Sequence, residues 1–98
     1  MRLSAVQKNT LFLLYHFTHK NRHTVRQRVL YKMINNMMLE EMARPLFPNN
    51  FRASCLTLAS NELVVRERDD SNRTWLTLTE SGREQARVIY DKRLAEQD

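Results

Sequence analysis

The fold is decided by one stretch in the second half of the chain, Leu63-Val64-Val65-Arg66-Glu67-Arg68-Asp69-Asp70-Ser71-Asn72-Arg73-Thr74-Trp75-Leu76-Thr77-Leu78. Its two ends, Leu63–Arg68 and Arg73–Leu78, are rich in β-branched and aromatic residues, and four polar residues separate them. Two such runs around a polar turn predict a β-hairpin. Because side chains alternate along a strand, Leu76 and Leu78 are expected on the same face.

Three helices are predicted before this hairpin. Ser4-Ala5-Val6-Gln7 is a capping-box pattern, in which the serine hydroxyl and the glutamine side chain satisfy free amides at a helix start, and the helix is expected to run to about Lys20. Thr24-Val25-Arg26-Gln27 repeats the pattern and predicts the start of a second helix. Asn49 or Asn50 is the expected cap of a third helix.

The third predicted helix has two unlike faces. An apolar stripe at helical spacing is formed by Phe51, Cys55, Leu58 and Ala59. The opposite face is small and polar, flanked by Arg52 and Leu56, and contains Asn50, Ala53, Thr57, Ser60 and Asn61. Such a face is suited to lying close against a partner.

A long last helix is predicted after the hairpin. Thr79 is its expected cap, and the helix runs from Glu80 to about Gln97. The element order is therefore α-α-α-β-β-α, which is an α+β fold, and we expect a single domain over residues 1–98 because so short a chain builds one core.

Composition excludes several classes of protein. The lone cysteine, Cys55, excludes a disulfide framework and a paired-cysteine zinc site, and favours a reducing cytoplasm. The longest apolar run, Leu11–Tyr15, is far shorter than the roughly 20 residues of a membrane-spanning helix. Met1–Thr10 has no signal-peptide core. We therefore expect neither a membrane protein nor a secreted one.

The charge is uneven along the chain. The net charge is +5, but the segment from Met1 to Asn36 contains seven bases and no acid, whereas acids outnumber bases afterwards. The seven are Arg2, Lys8, Lys20, Arg22, Arg26, Arg28 and Lys32. A basic N-terminal third favours a polyanionic partner such as nucleic acid, although a merely solvated basic face remains an alternative.

Two segments resemble known DNA-binding proteins. Leu78-Thr79-Glu80-Ser81-Gly82-Arg83 resembles the Leu-Thr-x-x-Gly-Arg junction between wing and C-terminal helix in bacterial winged helix-turn-helix regulators of the MarR and PadR kind. Cys55–Val64 is similar to their recognition helix leading into the wing. Glu62 stands where those families commonly have glycine. The likeness to these regulators extends over about Phe51–Tyr90. The sequence also resembles short winged-helix proteins of enterobacterial plasmids and prophages, some labelled as segregation proteins.

The resemblance implies a transcriptional regulator that binds double-stranded DNA. The third helix would read base edges in the major groove, and arginines and lysines around it would contact phosphates. The predicted DNA-binding residues are Lys20, Arg22, Arg26, Arg28, Lys32, Asn49, Asn50, Arg52, Ala53, Leu56, Thr57, Ser60, Arg66, Arg68 and Arg73. Asp69 and Asp70 argue against deep insertion of the wing tip into the minor groove.

A homodimer is also predicted. The first helix is apolar nearly all round and needs cover on two sides, which the last helix or another subunit would supply. The predicted dimer contacts are Leu11, Phe12, Tyr15, Ile89, Tyr90 and Leu94. A twofold dimer would match a palindromic DNA site.

Other functions are weighed against this one. A winged helix that docks on a protein partner, such as a plasmid or phage segregation or replication factor, remains the alternative. Single-strand binding is disfavoured because Trp75 is the only candidate for base stacking. His16, His19 and His23 have a loosely metal-like spacing, but His23 is expected beyond the helix end. Cys55 is expected in the core, where its thiol would not act as a nucleophile. No enzyme activity, metal or cofactor is predicted.

Overall fold

The helices and strands follow one another in the order α-β-α-α-β-β-α. A computed structural model describes residues 2–97, and the two ends of the predicted domain, residues 1 and 98, lie outside the described residues. The elements are α1 (Ala5–Thr18), β1 (Thr24–Arg26), α2 (Gln27–Met42), α3 (Pro48–Ser60), β2 (Val64–Arg68), β3 (Thr74–Leu78) and α4 (Glu80–Glu96). The predicted α+β class, the hairpin and the long last helix are confirmed, and a short additional strand precedes α2.

The additional strand corrects the predicted cap of the second helix. Thr24–Arg26 is not a helix start but a strand that pairs antiparallel with β3, with Val25 opposite Leu76. Val25 is completely buried, and the hydroxyls of Thr24 and Thr77 lie 2.7 Å apart. The capping-box prediction was wrong here because the backbone of this segment bonds to the edge of β3, which then becomes the central strand in the order β1-β3-β2.

The start of α3 also differs from the prediction. The helix begins at Pro48, whose ring fixes a helical φ at the first position, and Phe47 is its N-cap residue. Asn49 and Asn50 therefore lie within the first turn and do not cap it. Both side chains are exposed and remain available to a partner.

The first helix is covered on both sides within its own chain. Leu11 and Leu14 of α1 are buried in the core. On the other side, the rings of Phe12 and Tyr15 each lie 5.2 Å from the ring of Tyr90 on α4. Leu11 is fully buried and so is no longer a candidate for contact with a second subunit. In residues 2–97, no helix has the length and apolar character needed to cross a membrane.

The junction between β3 and α4 is bonded to the end of α3. The Thr79 hydroxyl donates to the Glu62 carbonyl at 2.6 Å and accepts from the Gly82 amide at 2.9 Å, and the Thr79 amide donates to the Leu63 carbonyl at 3.1 Å. A Cβ on Gly82 would lie 1.7 Å from the Leu63 carbonyl oxygen. Glu62 has φ 61°, the left-handed conformation that glycine adopts most easily, which accounts for the glycine common there in similar proteins.

We predict that Gly82→Ala destabilises the fold. The added methyl group collides with backbone rather than with a movable side chain, so the helix must shift, at a cost of about 1–3 kcal/mol in the free energy of unfolding. Urea denaturation followed by far-UV circular dichroism measures the effect. The neighbouring exposed Ser81→Ala is the control and should change stability by less than about 0.5 kcal/mol. Equal stability of the two variants would contradict the close approach.

Candidate nucleic-acid interface

The outer face of α3 is free of intramolecular packing. Phe51, Cys55 and Leu58 are buried on the inner side of the helix. The predicted contact residues on the outer side are all exposed, namely Asn49, Asn50, Arg52, Ala53, Leu56, Thr57 and Ser60. Asn, Ser, Thr and Arg side chains provide the donors and acceptors that read base edges, so the face has the chemistry of a recognition surface.

The angle of α3 is fixed by the turn that joins it to α2. The Tyr31 hydroxyl donates to the Leu46 carbonyl at 2.7 Å, and the Leu46 amide donates to the Asn35 side-chain oxygen at 2.7 Å. The helical spacing of Asn35 from Arg28 and Lys32 by itself favours a solvent-exposed position on the same face. The structure instead half-buries Asn35 against the turn. No local signal indicates this role, because the bonded partners lie more than ten residues apart.

Three of the predicted DNA-binding arginines line one cleft. Arg26 in β1, Arg28 in the first turn of α2 and Arg73 after the wing turn surround a depression of about 320 Å³, together with Pro48 at the start of α3. Lys32 is exposed one helical turn beyond Arg28. Two bases of the N-terminal third, Arg26 and Arg28, therefore lie beside the start of α3.

Other predicted bases lie outside this cleft. Lys20 and Arg22 are exposed in the connection before β1, and the Arg22 guanidinium lies 5.3 Å from the centre of the Phe17 ring. Arg66 donates through Nε to Gln27 at 3.0 Å, which links β2 to the start of α2. Arg68 is exposed on the wing and contacts Asn72. None of these four bases lines the cleft.

The wing turn is held together by Asp69. Its carboxylate accepts hydrogen bonds from the Trp75 indole at 2.8 Å, from the Ser71 and Arg73 amides at 2.9 Å, and from Arg73 Nε at 3.1 Å. The Trp75 bond, followed by the backbone bond from Arg73, lowers the pKa of Asp69 to about 2. Asn72, at φ 66°, closes the turn in the left-handed conformation. The wing therefore presents Arg73 in a preformed position.

The residues considered for catalysis or metal binding do not form a site. Burial raises the pKa of the Cys55 thiol to about 12, so this cysteine is not a nucleophile at neutral pH. The His19 ring stacks on Tyr90 at 5.2 Å, and the His16 ring meets Phe17 edge-on. Within residues 2–97, no group of three histidine, cysteine or acidic side chains is placed to hold a metal ion.

The fold is that of solved winged-helix proteins. SSV1 F-93 is 18% identical, with a TM-score of 0.71 over 99% of this chain and 94% of its own. MepR, a transcription regulator of the Staphylococcus aureus multidrug efflux pump MepA, is 20% identical, with a TM-score of 0.66 over 98% of this chain and 66% of its own. F93 from STIV, described as a winged-helix DNA-binding protein, is 13% identical, with a TM-score of 0.57 over 84% of this chain and 82% of its own.

No protein-family model and no curated protein matches the sequence. At sequence identities of 13–20%, the structural similarity shows a shared fold. It confirms the predicted winged helix-turn-helix, in which α2 and α3 form the helix-turn-helix and the β2–β3 hairpin is the wing.

We predict that the wing turn loses the hydrogen bonds of the Asp69 carboxylate as the pH falls from about 4 to about 2. The pKa of Asp69 is lowered in the folded chain, so its bonds stabilise the wing above the ordinary aspartate pKa of about 3.9 and are lost as the pH falls through about 2. The indole N–H signal of Trp75 in ¹H–¹⁵N spectra reports the bond to Asp69. Asp69→Asn should shift that signal at neutral pH and remove this low-pH step. Asp70→Asn is the control, and the same change in that variant would contradict the prediction.

Proposed function

We propose that this winged-helix protein is a cytoplasmic transcriptional regulator that binds double-stranded DNA sequence-selectively as a homodimer. The observation that carries the proposal is the position of the exposed polar face of α3 beside the three-arginine cleft. The DNA-binding role named for F93 from STIV and the regulatory role named for MepR support it. This function needs neither catalysis nor a cofactor.

In this proposal, α3 lies in the major groove. Asn50, Arg52 and Ser60 have donors or acceptors that match base edges, and the methyl groups of Leu56 and Thr57 fit against thymine methyls. Arg52 is the single charged residue of α3. The helix itself is therefore suited to reading sequence, while most of the attraction for phosphates comes from bases outside it.

Phosphate contact is assigned chiefly to the start of α2 and to the wing. Arg28 and Lys32 are exposed and lie one turn apart on α2, on the side of the cleft. Neither has an acidic partner among the described ion pairs. Each such base that neutralises a phosphate adds about one unit to the dependence of log affinity on log salt concentration.

We predict that Arg28→Glu with Lys32→Glu lowers the affinity for a mixed-sequence duplex at low salt by at least about tenfold and reduces the salt slope by about two units, because two phosphate contacts are lost. Fluorescence anisotropy over a salt series measures both quantities. The control carries Arg83→Glu and Lys92→Glu, two exposed residues on α4, and has the same net charge. Absence of duplex binding by the unmodified protein would reject the DNA-binding function.

A protein-docking role is the second candidate function. Three large apolar side chains, Leu39, Met42 and Phe47, are exposed at the end of α2 and in the turn that follows, and the Phe47 side chain is 62% exposed. A plasmid or phage accessory factor that docks on a segregation or replication protein would use such a surface. This function is favoured if the α2 charge reversal leaves DNA affinity unchanged while Phe47→Asp abolishes a partner contact.

The proposed homodimer forms through α4. Within one chain, Phe12, Tyr15 and Tyr90 already pack α1 against α4, and Ile89 is half-buried against the core. Of the predicted dimer contacts, this leaves Leu94 the most exposed, at 45%, and sequence reasoning missed Val88, which is 54% exposed on the same helix. A second copy that covers the outer side of α4 would bury both residues.

We predict that Val88→Asp with Leu94→Asp converts a dimer to a monomer without unfolding it, because both side chains lie outside the core of the single chain. Sedimentation velocity gives the mass of the assembly, and circular dichroism verifies the fold. Val65→Asp, an equally exposed apolar position on the wing, is the control. A monomeric unmodified protein at micromolar concentration would refute the dimer, and a dimer that survives the double substitution would assign the contact elsewhere.

A further inference from the structure

The cleft beside α3 lies where three elements meet. Arg26 belongs to β1, Arg28 to α2 and Arg73 to the wing, and the first turn of α3 forms another wall with Pro48. These residues come from separate parts of the chain, yet their side chains face a single depression of about 320 Å³. The cleft is therefore a joint between the helix-turn-helix and the wing.

The chemistry of the cleft is that of an anion site. Three arginines line it and none of its lining residues is acidic. The Arg73 guanidinium donates to Asp69 through Nε alone, so Asp69 holds the guanidinium in place without occupying its terminal nitrogens. Guanidinium groups match the tetrahedral oxygens of phosphate by paired hydrogen bonds.

Arg26 is partly buried in the wall of the cleft. β1 pairs Arg26 with Trp75 of β3, so its backbone position is fixed by the sheet. Its Nε is buried and, among residues 2–97, has no hydrogen-bond partner. A buried charged donor without an acceptor is costly. A phosphate in the cleft would bind the terminal nitrogens of the guanidinium, and its negative charge would offset part of that cost.

We propose that this cleft is a clamp for one phosphate of the DNA backbone, held jointly by Arg26 and Arg28 on the helical side and by Arg73 on the wing side. The inference rests on the proposed DNA-binding function. A sugar-phosphate backbone is the ridge between the major and minor grooves, so a protein with α3 in one groove and its wing over the next must straddle that ridge. The cleft lies between these two elements.

The clamp has a consequence for recognition. A phosphate gripped from both sides fixes the position of α3 along the groove, because the wing and the helix can no longer shift independently on the DNA. Asp69 holds Arg73 and the sheet holds Arg26, so little ordering is needed on binding. Specificity of the α3 face therefore depends on a contact that reads no base.

A double-mutant cycle tests the shared phosphate. Arg26→Gln and Arg73→Gln are made singly and together, and their affinities for a mixed-sequence duplex are measured over a salt series. Each single variant should bind about tenfold more weakly, and the double variant should lose much less than the product of the two losses. The salt slope should fall by about one unit in each single variant and by no more in the double variant, because one phosphate is involved.

Arg87→Gln on α4 is the matched control, since it removes the same charge from an exposed residue outside the cleft. It should leave the slope unchanged. Circular dichroism and the Trp75 indole signal confirm that each variant keeps its fold and its wing turn. If the two single losses of affinity multiply in the double variant and its salt slope falls by two units, the arginines contact separate phosphates and the clamp is rejected. If the arginine variants bind the duplex as Arg87→Gln does, the clamp is also rejected.

A spectroscopic measurement tests the same site without a substitution. In ¹H–¹⁵N spectra, the Nε–Hε signal of Arg26 should move when the mixed-sequence duplex is added, because a phosphate bound to the terminal nitrogens changes the electrostatic surroundings of the same guanidinium. A duplex that binds without moving this signal overturns the clamp. A signal that moves with inorganic phosphate but not with the duplex also overturns it and assigns the cleft to a free anion. Failure of the unmodified protein to bind any duplex instead rejects the proposed function on which the clamp rests.

Discussion

The hydrogen bonds of Thr79 are the constraint on which the arrangement of the molecule depends. The Thr79 hydroxyl joins the Glu62 carbonyl, in the turn after α3, to the first turn of α4, and the Thr79 amide bonds the end of the wing to the Leu63 carbonyl. Three elements that must keep constant angles to one another therefore meet at a single residue. Gly82 is required beside it because only a residue without a Cβ allows backbone to approach this closely. The local Leu-Thr-x-x-Gly pattern is thus a packing requirement of the fold.

The candidate site depends on two further local devices that hold its parts rigid. Leu46, bonded to Tyr31 and Asn35, sets the direction of α3 from the side of α2. Asp69 sets the wing turn and the position of Arg73 from the other side. The cleft between these two anchored parts brings together arginines whose like charges repel one another. Such a cluster is tolerated in a folded protein when solvent or an anion screens it.

Elements with strong local patterns were predictable from the sequence. The alternation around Leu76 identified the hairpin, and the spacing of Phe51, Cys55 and Leu58 identified both faces of α3. The errors have a common physical cause. Thr24–Arg26 has the local signature of a helix cap, but it pairs with a strand about fifty residues later in the chain, and the cost of leaving that sheet edge unpaired outweighs the local preference. Likewise, each of the three arginines of the cleft was predicted from the sequence to contact DNA, which stays a prediction, whereas their convergence in one cleft is visible only in the fold.

In the proposed DNA-binding function, the distribution of charge assigns different parts of recognition to different elements. The outer face of α3 contains one charged residue and is otherwise small and neutral, so electrostatic attraction contributes little that is specific to this helix. The bases that attract phosphates lie on β1, α2 and the wing instead. Because attraction to phosphates is the same for every sequence, it sets how tightly and in what register the protein lies on a duplex. Neutral side chains then discriminate between base pairs without the large salt-dependent background that a basic recognition helix would add. In the proposed function, placing charge around the helix rather than on it therefore separates attraction to phosphates from the reading of base pairs.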